Sequence, residues 1–239
     1  MRRDVTYGTA FALIGAAVFW LAAHGGWNLF LVWPGISFAV VSVAYLSGDV
    51  RCFGKRMDGT RHWLACFILL PYLLFTKAVW MAQVTVSREP AAHTVNDSLV
   101  VSRRLRPAEM PSDVMHVVDL TCEFTDPRAI RQRLRYTCHP ILDAGSAPAA
   151  ELVSSILALP PPMNGRLLIH CANGHGRTGM FAAIWLVAHG FATTAEDAIT
   201  KLRAIRPGVG LRAGQRRVVI EAVNLIRDSD EPEDTGERG

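Results

Sequence analysis

The sequence predicts an α/β domain built on a mostly parallel central sheet flanked by helices, preceded by transmembrane helices at the N-terminus. Three observations predict it. Short β-rich apolar runs alternate with helical patterns over residues 114–227. Two uncharged apolar stretches, 7–24 and 27–46, lie ahead of them, each near the roughly 20 residues needed to cross a bilayer. The excess positive charge is also confined to the start of the chain. Residues 1–81 hold seven Lys/Arg against three acids, whereas the remainder is balanced at 18 of each.

The two apolar stretches are joined only by His24, Gly25 and Gly26, so they read as a tight helical hairpin with Trp20, Trp27 and Tyr45 near its ends, where aromatic residues favour the membrane interface. A cleaved signal peptide is disfavoured because a second span follows at once and the AHGGW junction is a poor cleavage site. A third apolar segment, 63–86, contains Pro71 and Lys77 and reads as either a kinked span or a broken helix lying in the interface. Arg51, Lys55, Arg56 and Arg61 mark the 47–62 loop as cytoplasmic, and Arg2 and Arg3 place the N-terminus on the same side. Two spans leave the rest of the chain in the cytoplasm; three put it outside.

In the remainder, 114–120 and 135–142 read as strands. A helix over 147–159 is stopped by the prolines at 160–162. The run over 166–170 reads as a strand buried on both faces. An apolar helix over 176–189 ends at Gly190. The next helix, 194–205, starts at Thr193 or Thr194 with acids in its first turn, and a last helix covers 215–227. The acidic segment 229–239 reads as a disordered tail. The expected organisation is therefore an anchor over 1–81, a catalytic domain over 82–228, and the tail.

Nucleic acid is not an expected partner, because the cations flank apolar segments and no platform of aromatic and basic residues is evident. Five cysteines at irregular spacing, with no C-x-x-C pair, argue against a disulfide scaffold and a zinc site. They fit a reducing compartment, where a working thiolate is protected. That favours two spans and a cytoplasmic domain.

The segment IHCANGHGRTGMF, 169–181, carries the chemistry. It puts Cys171 at the end of a buried strand and Arg177 in the first turn of an apolar helix. Ala172, Asn173, Gly174, His175 and Gly176 lie between them. The two glycines permit positive φ and close backbone approach. Such a turn aims successive N–H groups into an anion-binding concavity, to which the helix N-terminus adds partial positive charge. Arg177 supplies a planar two-pronged contact to phosphate. The same field favours the thiolate of Cys171, and Thr178 is positioned to donate to its sulfur. A second C-x5-R copy, Cys122 to Arg128, contains Glu123, Asp126 and Pro127 and no glycine, so it forms no such nest.

HCANGHGRTG resembles the signature loop of cysteine-dependent protein tyrosine phosphatases, in their dual-specificity branch. The resemblance implies a two-step reaction through a phosphocysteine and no metal or other cofactor. Cys171 corresponds to the nucleophile, Arg177 to the transition-state clamp, and Thr178 to the hydroxyl that eases sulfur departure. His170 orients the loop, while Asn173 and His175 line its rim. A general acid is expected on a loop upstream. Asp143, 28 positions before Cys171 in HPILDAGSAP, fits that place better than Asp119 or Asp126. Gln215, in AGQRR, resembles a further position near the site. Family branches that act on polyphosphorylated inositol lipids place Lys where this chain has Ala172 and His175. The expected activity is thus a membrane-anchored phosphomonoester hydrolase, an integral protein of the cell inner membrane, acting on a phosphoprotein or a phospholipid head group. The competing expectation is a catalytically silent phosphate-binding module.

Overall fold

A computed structural model of the chain describes residues 5–159 and 165–230. Arg2 and Arg3, the helix stop at 160–162 and the tail beyond residue 230 lie outside the described residues. The chain opens with α1 (Val5–Ala22) and α2 (Val32–Ser47), packed antiparallel. Small residues let them approach. Ser42 donates its hydroxyl to the Gly8 carbonyl at 2.7 Å, and a Cβ on Gly8 would come within 2.6 Å of Leu46. The second predicted span differs at its start, where Gly26–Leu31 form a 3-10 turn before α2 begins.

The third apolar segment is one continuous helix, α3 (Trp63–Val86), running through Pro71. Proline deprives the carbonyl four residues earlier of its helical donor. That carbonyl, of Phe67, instead accepts from the Trp33 indole of α2 at 3.0 Å. The next amide, of Tyr72, donates to the Ser37 hydroxyl of α2 at 3.2 Å. The expected break at Pro71 is therefore repaired from the neighbouring helix. α1, the 3-10 turn together with α2 (Gly26–Ser47), and α3 are each long and apolar enough to cross a membrane.

The five-stranded sheet has the order β1-β2-β5-β3-β4. β3 (Val114–Thr121), β4 (Arg135–Ile141) and β5 (Arg166–Cys171) occupy the expected places. Three elements were not legible: β1 (Ala92–Thr94), β2 (Leu99–Arg103) and the short α4 (Arg128–Arg133). Each is too short for a periodic signal, and β2 is buried at four of its five residues, so it shows no alternation. Every pairing is parallel except β1 with β2. Central β5 lies between β2 and β3 and delivers Cys171 at its C-terminal end, the edge where open α/β sheets place their ligands.

α5 (Ala149–Leu157), α6 (Gly176–Ala188), α7 (Ala195–Ile205) and α8 (Ala213–Asp230) complete the domain. α6 is buried from Arg177 to Leu186, which explains why its sequence is apolar all round. Thr194 caps α7 by accepting from the Asp197 amide. α8 runs through Asp230, so the first residues of the expected tail continue the helix.

Contacts cross the composition boundary at residue 81. Lys55, from the loop between α2 and α3, buries its ammonium against Asp119 at 2.5 Å. Arg61 donates to the Cys122 carbonyl at 2.8 Å. Near the other end of α3, the Trp80 indole donates to the Ala172 carbonyl at 3.0 Å. Phe38, Tyr45, Phe53, Leu69 and Tyr72 share one apolar cluster with Cys122 and Leu142.

Candidate active site

The 171–177 turn is shaped from outside by donors to its carbonyls. The Ala172 carbonyl accepts from the Arg104 amide at 3.1 Å as well as from Trp80. Those of Asn173 and Gly174 accept from the buried Arg206 guanidinium at 3.0 and 2.9 Å. A trans peptide points its N–H opposite to its C=O, so the amides of Asn173, Gly174 and His175 face inward. The Gly174 N–H accordingly donates to Cys171 Sγ at 3.3 Å. Gly174 alone of the two loop glycines has positive φ, 73°, and a Cβ there would strike the Ser102 carbonyl at 2.5 Å. Gly176 serves close approach instead, since its Cβ would meet the Gln215 side chain at 2.9 Å.

Arg177 is fully buried and held from three sides. Its Nη1 and Nη2 donate to Glu123 Oε2 and Oε1 at 3.0 and 2.7 Å. Nη1 also reaches the Ile141 carbonyl at 2.9 Å, and Nη2 reaches Asp143 Oδ1 at 2.9 Å. Burial pushes the Glu123 carboxyl up, but the Arg177 guanidinium outweighs it and holds the group below the usual carboxylate range. Among the described residues, Arg177 Nε and Thr178 Oγ1 are buried without a hydrogen-bond partner. An unpaired buried donor costs about 1–3 kcal/mol, so both fit an anionic ligand that supplies the missing acceptors. The expected bond from Thr178 to the sulfur is not formed in this state.

Asp143 stands at the mouth, with its side chain 58% exposed. The turn that carries it puts Ala144 at φ 58°, a left-handed conformation rare outside glycine. Gln215 is buried beside this turn. Its Nε2 donates to the Gly145 carbonyl at 2.9 Å, and its Oε1 accepts from the Arg212 amide at 3.1 Å. The rim residues are tied to the segment around the end of α3: Asn173 Nδ2 donates to Gln83 at 3.0 Å, and His175 Nε2 pairs with Glu89 at 2.7 Å. One cavity brings Cys171, Asn173, His175, Gly176, Arg177, Asp143 and Gln215 together, with Tyr7 of α1 and Arg212 in its wall.

Below the loop lies a row of alternating buried charges: Lys55, Asp119, His170, Asp126 and Arg104. His170 Nε2 contacts Asp126 Oδ2 at 2.9 Å, and Nδ1 lies 3.3 Å from the Cys171 carbonyl. An orienting role for His170 would act through these two contacts. Asp119, Asp126 and His170 together have the donor types of a metal site, but the Lys55 ammonium and the Arg104 guanidinium already occupy the cation positions. Asp119 and Asp126, considered as alternative acids, are consumed here. Burial acts against the charged imidazole, but Asp126 and Asp119 outweigh it and raise its pKa to about 9. Because that value lies above the unfolded one, the stabilisation is complete below about pH 6.5 and is lost as pH rises through about 9. The melting temperature is therefore expected to fall between pH 7 and 10, and less steeply in His170→Asn. Parallel profiles would remove His170 from the account.

Sequence reasoning missed Glu123, Arg206 and Trp80. Glu123 lies in the second C-x5-R copy, which forms no nest. It in fact sits just beyond β3, beside β5, where its charge serves Arg177. Its position at that strand end was the available signal. For Arg206 and Trp80 the sequence offers none.

A family model described as the DSP-PTPase phosphatase domain of Swiss Army Knife proteins matches residues 81–219. The chain is similar to the dual specificity protein phosphatase CDC14B of Mus musculus, 33% identical over 86 residues, which make up 36% of this chain and 18% of that protein. It is also similar to the tyrosine-protein phosphatase CDC14 of Candida albicans, 31% identical over 102 residues, 41% of this chain and 18% of that protein. The chain thus spans less than a fifth of the length of these relatives. Among solved structures, PTPMT1 in complex with PI(5)P aligns at 16% identity and a TM-score of 0.50, over 59% of this chain and 99% of that one. A mutant form of Tk-PTP aligns at 22% identity and a TM-score of 0.51, over 58% and 97%. These structures share the fold.

Proposed function

Since the chain belongs to the DSP-PTPase family of Swiss Army Knife proteins, we propose that it hydrolyses phosphomonoesters at a membrane face through a phosphocysteine on Cys171. The observation that carries this reading is the pair of unpartnered buried groups, Arg177 Nε and Thr178 Oγ1, just after a turn whose Gly174 amide already donates to the Cys171 sulfur. The inward amides and the first turn of α6 hold the phosphoryl oxygens. The Cys171 thiolate attacks phosphorus, the ester P–O bond breaks, and the Asp143 carboxyl gives its proton to the departing oxygen. Phosphate arriving at Arg177 competes with Asp143 for Nη2, which frees the carboxyl at the mouth. In the second step Asp143 takes a proton from the attacking water. The P–S bond breaks to release inorganic phosphate, and the sulfur leaves as thiolate.

Cys171→Ser is expected to reduce p-nitrophenyl phosphate hydrolysis to background, with Cys66→Ser retaining it. Wild-type rates in Cys171→Ser would end the proposal, as would a silent wild-type protein.

Parity supports a cytoplasmic location. Lys55 and Arg61 before α3, and Trp80 near its end, all pack on the phosphatase domain. A folded domain occupies one side of a bilayer, so α3 begins and ends on that side. About 24 residues of helix extend about 36 Å, and this length lies along the domain instead of crossing away from it. In this reading α1 and α2 are the two spans, α3 packs against α2 and the domain without crossing, and the domain lies on the cytoplasmic side with the 47–62 loop. A reporter fused after Gly239 should be active only as a cytoplasmic fusion; activity as a periplasmic fusion would reverse this assignment.

A further inference from the structure

The phosphate-binding cavity does not end at its rim. A second cavity adjoins it, and the two share Tyr7, Asp143 and Asn173 as common walls. The character changes across that boundary. The first is lined by Cys171 and by the guanidiniums of Arg177 and Arg212. The second is lined largely by aromatic and aliphatic side chains, among them Phe11 of α1 and Phe75 and Val79 of α3, with Thr76, Gln83 and Glu123 as polar members of its wall; Phe75 and Val79 are 48% and 40% exposed. Asp143 stands between them, so the ester oxygen it protonates sits at the entrance of the apolar groove.

We infer that the alcohol released by this enzyme carries an apolar tail that lies in this groove, making the substrate a lipid phosphomonoester. The inference rests on the phosphatase reading above. Its grounds are continuity and complementarity. The groove opens from the phosphate cradle itself, and its apolar side chains from α1 and α3 belong to helices apolar enough to sit in a bilayer. A chain of methylenes entering from the membrane would exchange lipid for Phe11, Phe75 and Val79, while Thr76, Gln83 and Glu123 in the same wall are already bonded to Tyr72, Asn173 and Arg177. A phosphopeptide would bring backbone N–H and C=O groups against those same side chains, which offer them no partner. The helices thus act as part of the binding site as well as an anchor, with Tyr7 shared between head-group cavity and tail groove.

The test uses the full chain in lipid nanodiscs and compares kcat/KM for butyl, hexyl and octyl phosphate with p-nitrophenyl phosphate and a phosphotyrosine peptide. Full burial of a methylene corresponds to about a fourfold gain, and partial burial over four methylenes should still raise kcat/KM by about 10-fold or more from butyl to octyl phosphate. In Phe75→Asp that octyl-to-butyl ratio should collapse towards one. Should the variant not fold, as read by circular dichroism, the wild-type series decides alone. A flat series, or a peptide preferred to octyl phosphate, with p-nitrophenyl phosphate still hydrolysed, overturns the groove and leaves the phosphatase reading standing. Failure to hydrolyse any of these esters overturns both.

Discussion

Glu123→Ala is expected to lower kcat/KM for p-nitrophenyl phosphate by about 100- to 1000-fold, the range for losing a preorganised electrostatic group. Arg177 would lose both of its bonds to that carboxylate and keep the Ile141 carbonyl and the exposed Asp143. Its buried charge would then turn towards Asp143, closing the mouth with the very carboxyl that must give up a proton. Stability should fall as well, by about 3–5 kcal/mol, because removing one member of a buried pair strands the other. Glu123→Gln keeps the shape and one acceptor and should lie between. Steady-state kinetics beside thermal melts separate the two effects. Activity within about threefold of wild type would show that Arg177 is placed by something else.

Lys55→Met should cost about 3–5 kcal/mol, which lowers the melting temperature on the order of 10 °C for a chain of this size. The reason is local. Asp119 is fully buried, and the coulombic pull of Lys55 and His170 outweighs the burial that would raise its pKa, so it stays ionised. Lys55 also donates to the Thr121 carbonyl. Without the ammonium, Asp119 keeps the Tyr136 hydroxyl at 2.6 Å, donors from Thr121 close by and the His170 imidazole at 3.9 Å. Replacing both residues, as Lys55→Met with Asp119→Asn, should recover much of the loss. The same reasoning makes the anchor segment structural. A protein starting at residue 82 would lack Lys55, Arg61 and Trp80, and the loop carbonyl of Ala172 would lose its indole donor. A shift of under about 2 °C in Lys55→Met would contradict this.

The sequence was most readable where chemistry and backbone geometry coincide. The Cys171 loop announces itself because glycine, a buried strand and an apolar helix all have to be local. The hairpin of α1 and α2 was legible from apolar length alone. What failed was set by long-range contact. Pro71 signals a break in sequence, yet Trp33 and Ser37, more than 30 residues earlier, repair it. Lys55 and Arg61 read as topology markers, whereas the fold uses both inside the phosphatase domain. Glu123 belongs to a spacing that builds no nest, and its role comes from the strand end it occupies, within reach of Arg177. Arg206 acts on Asn173 and Gly174 from 33 and 32 positions away, which no local pattern encodes.

The most direct measurement is rapid quenching of the full-length protein with an excess of a radiolabelled phosphomonoester, followed by peptide mapping under acid. One acid-stable label on the peptide containing Cys171, present in wild type and accumulating further in Asp143→Ala with an activated leaving group, is the predicted result. Turnover with no label on that peptide, or label on another residue, would contradict the account.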